Sequence, residues 1–434
     1  MDNAEILQFL WVAIALFSGL MFTRLFKKLH MNFPDVTAFL IAGILIGPNV
    51  LGRLGVEGLG FTSYESVQSL KIISDAALGF IAFAIGSEFR LSELKHTGRA
   101  ATIVGIFQAV VASALVDVVL VLLHFVLGPD LLPLPVAITM GAIASATAPA
   151  ATLMVVRQYK ANGPVTRILL PVVALDDAVG LVIFSVSLGV AQAFQGGNLD
   201  AISIIINPLV EIIGSLILGS VMGWFLTKLE RLFYSNSNRL SLTISFVLLT
   251  IALSALEFHV GPVTIGFSSL LVCMMLGTIF CNMSDFSADI MHRAEKWTAP
   301  LNACFFVLSG AELEIGVFAN WAYVLIGVVY ILSRSAGKYY GARFSSQISG
   351  CEKNVVKYLG ITLLPQAGVA LGMCSQAGVL GPHPASIIRN VTLFGVLIYE
   401  LVGPVLTRNA LMAAGEIAPT PKSKQSHDRF QANA

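Results

Sequence analysis

Leu170-Pro171-Val172-Val173-Ala174-Leu175-Asp176-Asp177-Ala178-Val179-Gly180-Leu181 places two adjacent carboxylates in the middle of an otherwise apolar stretch. They lie nine and ten residues beyond Arg167. At a helical rise of about 1.5 Å per residue, that sets them roughly 14–15 Å from a charged edge. Such a depth is the centre of a hydrocarbon layer about 30 Å thick. Acidic groups there are costly, and they mark routes for ions or protons. A single carboxylate neutralised by a nearby lysine would be a structural feature; two in succession call for a functional one.

The rest of the chain agrees with a lipid environment. Of its 434 residues 56% are hydrophobic and 12% charged, with mean hydropathy +0.82. Soluble domains carry about 25% charged residues, so a soluble enzyme is excluded. The net charge of +1 says nothing about nucleic acid, but there is no basic cluster interleaved with aromatics, and no nucleic-acid partner is expected. Cys273, Cys281, Cys304, Cys351 and Cys374 form no metal-ligand spacing, and no cofactor is expected. Residues 1–24 begin with acidic Asp2 and Glu5 and lack a small-residue cleavage site, so they read as a first span rather than a signal peptide.

Apolar stretches of about 20 residues recur throughout. The expected spans are 5–25, 34–52, 68–89, 100–127, 131–156, 166–194, 203–227, 239–257, 262–281, 298–317, 320–343, 355–380 and 386–412. The expected fold is therefore an all-α membrane protein with 13 transmembrane helices filling residues 1–412. Polar residues 413–434, with Pro419 and Pro421, read as a disordered tail. Of 26 basic residues, 21 fall in one set of alternate loops and the tail, whereas the other side holds Arg53, Lys71 and Arg389. By the positive-inside rule the N-terminus is outside and the C-terminus cytoplasmic, in a multi-pass protein expected in a bacterial inner membrane.

Four landmarks occur twice in the same order. Pro34-Asp35-Val36-Thr37, leading to Gly47, is echoed by Pro262-Val263-Thr264, leading to Gly277. Gly86-Ser87-Glu88-Phe89 matches Gly310-Ala311-Glu312-Leu313. Gly141, Thr147 and Pro149 in the fifth span match Gly360, Pro365 and Gly368 in the twelfth, and Gly163-Pro164 matches Gly381-Pro382. Spans 2–6 thus pair with spans 9–13, and their odd offset makes an inverted-topology repeat, a transporter signature. Pro149, beside Ala148, and Pro365, with Gly368, break their helices. Two crossing broken helices are expected, their freed ends carrying partial charges suited to holding ions.

Arg334 and Lys338 share a face of the eleventh span at i, i+4. Arg334 lies at the depth of the aspartates, counted from Arg343, whereas Lys338 is about 8 Å from that edge. Depth therefore favours Arg334 as partner of the pair. Glu400 is expected to pair with Arg334 as a secondary, structural group; Asp117 has no expected role. Two carboxylates in one desolvated pocket cannot both stay ionised cheaply, and protons or a small cation offer the same compensation. Competition for one site, combined with alternating access, yields exchange. Thr147 and carbonyls freed near Pro149 would complete an oxygen shell for a hard cation such as Na⁺ at Asp176 and Asp177. An intramembrane aspartyl protease is a remote alternative. It needs aspartates on different helices facing one water, and neighbours on one helix point about 100° apart.

The segment Ser145-Ala146-Thr147-Ala148-Pro149-Ala150-Ala151-Thr152-Leu153, then Gly163-Pro164, then Ala174-Leu175-Asp176-Asp177, resembles the monovalent cation/proton antiporter superfamily. The resemblance covers nearly the whole chain and is greatest to the electrogenic, NapA/NhaA-like sodium/proton antiporters with an Asp-Asp motif. It implies Na⁺/H⁺ exchange with more than one proton per cation, and a homodimer. Gly337-Lys338-Tyr339-Tyr340-Gly341 looks like the G-K-x-x-G of that branch, whose lysine pairs with the first aspartate, and this ranks Lys338 ahead of Arg334. Thr147-Ala148-Pro149 stands where electroneutral relatives carry Thr-Asp-Pro. That difference leaves Na⁺, Li⁺ and K⁺ as candidate cations, with K⁺/H⁺ efflux the alternative activity.

Overall fold

The computed structural model describes residues 3–417 except 30–34, 57, 149–151, 153–154, 157–158, 197–205, 257, 261–262, 315 and 317–318. Every apolar stretch of the sequence carries helix. The first four hold α1 (Asn3–Lys28), α2 (Asp35–Ile46), then, after the short α3 (Tyr64–Gln68), α4 (Lys71–Glu88) and α5 (Leu91–Leu127). α6 (Leu134–Ala144) stops at mid-stretch, and α7 (Pro164–Gly196) carries both aspartates. There follow α8 (Asn207–Glu230), α9 (Asn236–Ser254), α10 (Ser269–Met283), α11 (Ser287–Ala311) and α12 (Trp321–Ile348). The twelfth stretch is split into α13 (Lys353–Thr362) and α14 (Gly368–Gln376), and α15 (Pro382–Ala413) ends the bundle. A hairpin of three-residue strands, β1 (Phe258–Val260) and β2 (Val263–Ile265), pairs antiparallel with Phe258 opposite Ile265.

Local chemistry sets several helix ends. Prolines occupy the first turns of α6 and α15, where a missing N–H costs nothing. Ser268 caps α10 by accepting from Leu271 N at 3.5 Å, and Asn320 caps α12 by accepting from Ala322 N at 3.0 Å. Seven of the described helices are long and apolar enough on their own to cross a membrane. Their outer faces present large apolar side chains to the surroundings, among them Phe9, Phe17, Leu122 and Phe125. Polar side chains such as Gln108, Thr147, Asp176 and Asn390 are buried instead. Apolar outside and polar inside is the pattern of a multi-pass integral membrane protein.

The helices form two sets. α2 packs on α1 and α11, and α10 packs on α4 and α8. In the other set α5 packs on α12, α6 and α7, and α12 on α13 and α15. Four glycines allow two matching crossings in the first set. A Cβ on Gly43 would strike the Val307 carbonyl and one on Gly310 the Leu40 carbonyl; likewise Gly277 faces the Phe83 carbonyl and Gly86 the Met274 carbonyl. The two crossings therefore use the same three-residue offsets. They make Gly43, rather than Gly47, the counterpart of Gly277. Glycines four apart lie on one helix face, so sequence similarity alone slips by a turn. Gly310→Val and Gly277→Val should each cost at least the roughly 1–3 kcal/mol of core overpacking. The thermal midpoint of detergent-purified protein should fall for both, while Gly378→Ala, into open space, should match the parent. Equal midpoints for all three would remove this account of the crossings.

Candidate functional site

α6 ends at Ala144, and Ser145, Ala146, Thr147 and Ala148 continue without helix. Pro149 lies outside the described residues. α13 ends at Thr362, and residues 363–367 form the second break, with Pro365 inside it and Gly368 opening α14. The two breaks are joined to each other. Ala148 N donates to the Pro365 carbonyl at 2.8 Å. Thr147 Oγ1 donates to the Leu363 carbonyl at 3.3 Å, and Thr152 Oγ1 to that of Thr362 at 3.1 Å. Gln366 Nε2 reaches the Ile143 carbonyl at 2.9 Å and bonds the Tyr330 hydroxyl, also at 2.9 Å. Each break thus meets backbone groups freed by the other, as buried peptide groups require.

Lys338 and Arg334, one turn apart on α12, are fully buried and both reach this junction. Arg334 donates to three carbonyls: Nε to Ala144 at 3.0 Å, Nη1 to Leu364 at 2.6 Å and Nη2 to Ala146 at 2.6 Å. Its guanidinium carbon also lies 4.4 Å from the centre of the Tyr399 ring. Lys338 Nζ donates to the Ser145 carbonyl, to Thr147 Oγ1 at 2.9 Å and to Asp176 Oδ2 at 2.7 Å. The last contact is an ion pair with both side chains sealed from solvent. Lys338 is therefore the residue that meets Asp176, and the depth argument for Arg334 does not hold. α12 continues past Arg343 to Ile348, so counting from Arg343 placed Lys338 too close to the edge.

Two glycines explain how α5 joins the site. A Cβ on Gly337 would lie 2.7 Å from Ala112 Cα, and one on Gly341 2.9 Å from Gln108 Cα. Without side chains there, α5 closes on α12. Gln108 Nε2 then donates to Asp176 Oδ1 and, at 3.0 Å, to the Gly105 carbonyl. Asp176 thus accepts from an ammonium on one oxygen and an amide on the other. Asp177 follows on α7, and its side chain lies outside the described atoms. Thr147 is in place beside Lys338, its hydroxyl already accepting from that ammonium and donating to Leu363.

One expected contact comes out differently, and one residue without an expected role gains a neighbour. Glu400 accepts from Thr37 Oγ1 of α2 at 3.4 Å, in place of the anticipated pairing with Arg334, whose three described hydrogen bonds go to carbonyls at the breaks. Glu400 is one residue past Tyr399, and it is the Tyr399 ring that faces Arg334. Asp117, on α5, lies against Gly141 of α6, where a Cβ would overlap its carboxylate. Sequence reasoning passed over Gln108, Gln366 and Tyr330. All three are polar groups within apolar stretches, which is the signal that singled out the charged residues.

A fixed carboxylate–ammonium pair at the meeting of two interrupted helices is an arrangement in which a proton or a small cation changes the charge balance. Comparison with known proteins bears on which. The profile of a family described as "Sodium/hydrogen exchanger, transmembrane" matches residues 12–408. The Na(+)/H(+) antiporter NhaS4 of Synechocystis sp. is 24% identical over 412 residues, covering 92% of this chain and 94% of that protein. The K(+) efflux antiporter 1, chloroplastic, of Arabidopsis thaliana is 22% identical, over 89% of this chain and 31% of its own length. Among solved structures, the sodium proton antiporter MjNhaP1 from Methanocaldococcus jannaschii at pH 8 superposes with a TM-score of 0.72 and 18% identity. That match covers 95% of this chain and 99% of the other, so the two share a fold.

Proposed function

The chain belongs to the sodium/hydrogen exchanger family, and from that premise we propose that it exchanges Na⁺ for protons at Asp176 and Asp177. It is a cation/proton antiporter and not an enzyme. The observation carrying the site assignment is the buried Lys338–Asp176 ion pair at 2.7 Å, held where the two breaks meet. Lys338 balances Asp176 electrostatically, and Gln108 and Thr147 orient the two groups. The adjacent Asp177 is the second acid, so cation and protons compete for a pair whose charge a single lysine does not balance. Exchange of one cation for more than one proton makes transport electrogenic, driven by the membrane potential.

In this reading the thirteen stretches cross the membrane thirteen times, with the N-terminus outside and the C-terminus in the cytoplasm of a bacterial inner membrane. The two interrupted stretches cross at their breaks, and spans 2–6 and 9–13 form the inverted repeat, supported by the paired glycine crossings. A homodimer in lipid is the working assembly. K⁺/H⁺ exchange is the second reading, favoured by the similarity to a K(+) efflux antiporter. Proteoliposomes carrying a pH gradient and exposed to Na⁺, Li⁺ or K⁺, with and without an imposed potential, separate the two. The expected result is dissipation of the gradient by Na⁺ at a rate that responds to voltage. Dissipation by K⁺ alone would establish the second reading, and none by any cation would end both.

A further inference from the structure

α7 brings Asp176 within 2.7 Å of Lys338, so its position along its own axis has to be fixed. The hydrophobic effect is non-directional; directional polar contacts add a tighter constraint on axial position. At the α7 start, among the described residues, the side-chain hydrogen bonds from outside the helix all come from Glu416. Its Oε1 accepts from Val165 N at 2.6 Å, and its Oε2 from Thr166 N at 2.9 Å and Thr166 Oγ1 at 2.6 Å. These amides belong to the first turn, which has no partner inside the helix. A carboxylate there also opposes the positive end of the helix dipole.

Glu416 lies beyond α15, within residues 413–434, whose composition reads as a disordered tail. Gly415 turns the chain with φ +77°, and Glu416 N closes back on the Leu411 carbonyl at 3.0 Å. The Glu416 carbonyl accepts from Asn162 N at 3.2 Å, in the loop leading into α7. Asn354 Nδ2, on α13, donates to the Ala414 carbonyl at 3.2 Å. Ile417 is buried in a cluster with Val165, Leu169 and Val172 of α7. Gly163 has no side chain where the Glu416 carboxylate lies. One short segment therefore ties the end of α15 to α13, to the entry loop and to the first turn of the aspartate helix. Residues 418–434 lie outside the described residues.

We propose that Glu416 is a positioning residue for cation exchange, setting the axial register of α7 and so the seat of Asp176 against Lys338 and Gln108. Thr166 and Asp176 are ten residues apart, about 15 Å along one continuous helix. A slip of one residue at the cap displaces Asp176 by about 1.5 Å, enough to open a 2.7 Å ion pair. The proposal rests on the exchanger reading of this site.

The test compares the full-length parent with Glu416→Gln, Glu416→Asp and Thr166→Val in proteoliposomes, with the thermal midpoint in detergent measured alongside. Gln keeps the size but loses the charge and turns one acceptor into a donor facing an N–H. We expect Glu416→Gln to raise the KM for the transported cation about two- to five-fold, the factor available when a cap of this kind is weakened. The pH–rate profile should move with it. Thr166→Val should shift KM in the same direction by less, and Glu416→Asp, which keeps the charge, should lie nearer the parent. A lowered midpoint with KM and pH profile unchanged in all three would make the contact a brace and overturn the proposal. Absence of cation-driven proton movement in the parent would instead sink the exchanger reading.

Discussion

Asp177→Asn should abolish cation-driven proton movement in proteoliposomes while leaving the protein folded. Asparagine matches aspartate in size but neither binds and releases a proton nor carries the negative charge that a cation needs. Asp176 should not substitute for it. Both Asp176 oxygens are engaged, one by Lys338 Nζ and one by Gln108 Nε2, with no exposure to solvent. A cation reaching that carboxylate would have to displace an ammonium from a site of low dielectric, and the loss is costly. Cation binding then falls to the second acid, and its removal should cut the rate to that of protein-free vesicles. Asp176→Asn is the companion variant, expected to abolish exchange or make it insensitive to voltage. A dequenching assay run with Na⁺, with the thermal midpoint as a folding control, reads both. Exchange retained by Asp177→Asn would take the core out of the two-acid scheme.

Different levels of this architecture were legible in the sequence to different degrees. Helix positions were readable because they depend on local composition: each apolar stretch carries helix, and among the described residues helix is absent at 145–148 and 363–367. Pro365 was a local signal, since it has no N–H and clashes with the preceding turn. Partner choice was harder, because it depends on how helices sit against one another. Lys338 and Arg334 occupy one face and are chemically alike, and depth counted from Arg343 favoured the wrong one for Asp176. The lysine's contact became visible only with the glycines at 337 and 341, which bring α5 against α12. Glu400 illustrates the same limit. One helical position, about 100° of rotation, separates it from Tyr399, whose ring and not the carboxylate meets Arg334. Residues 414–417 show how composition misleads at a boundary: Gly415 and Glu416 look like the start of a solvated tail, yet the glycine's positive φ and the carboxylate's reach make a helix cap.

Lys338→Ala and Arg334→Ala should fail in different ways, and a second substitution should rescue only the first. Removing Lys338 leaves Asp176 buried without its counter-charge, a defect costing about 3–5 kcal/mol. It also strips a donor from the Ser145 carbonyl and the Thr147 hydroxyl at the first break. Removing Arg334 leaves the ion pair intact but orphans the carbonyls of Ala144, Ala146 and Leu364. Each buried acceptor left unmet costs about 1–3 kcal/mol, and the loss falls on the junction of the breaks. Lys338→Ala should therefore fold poorly because of one charge, and Arg334→Ala because of several dipoles. Asp176→Asn removes that charge. The pair Lys338→Ala with Asp176→Asn should be more stable than Lys338→Ala alone, giving a coupling of at least about 1 kcal/mol in a double-mutant cycle. Arg334→Ala with Asp176→Asn should be additive, since Arg334 makes none of the described contacts to Asp176. Thermal or denaturant unfolding of the parent, the three single variants and the two double variants in detergent measures this, independently of transport. Additivity in the Lys338 cycle would mean that the lysine and aspartate do not sense each other's charge, and the electrostatic basis assigned to the site would be wrong.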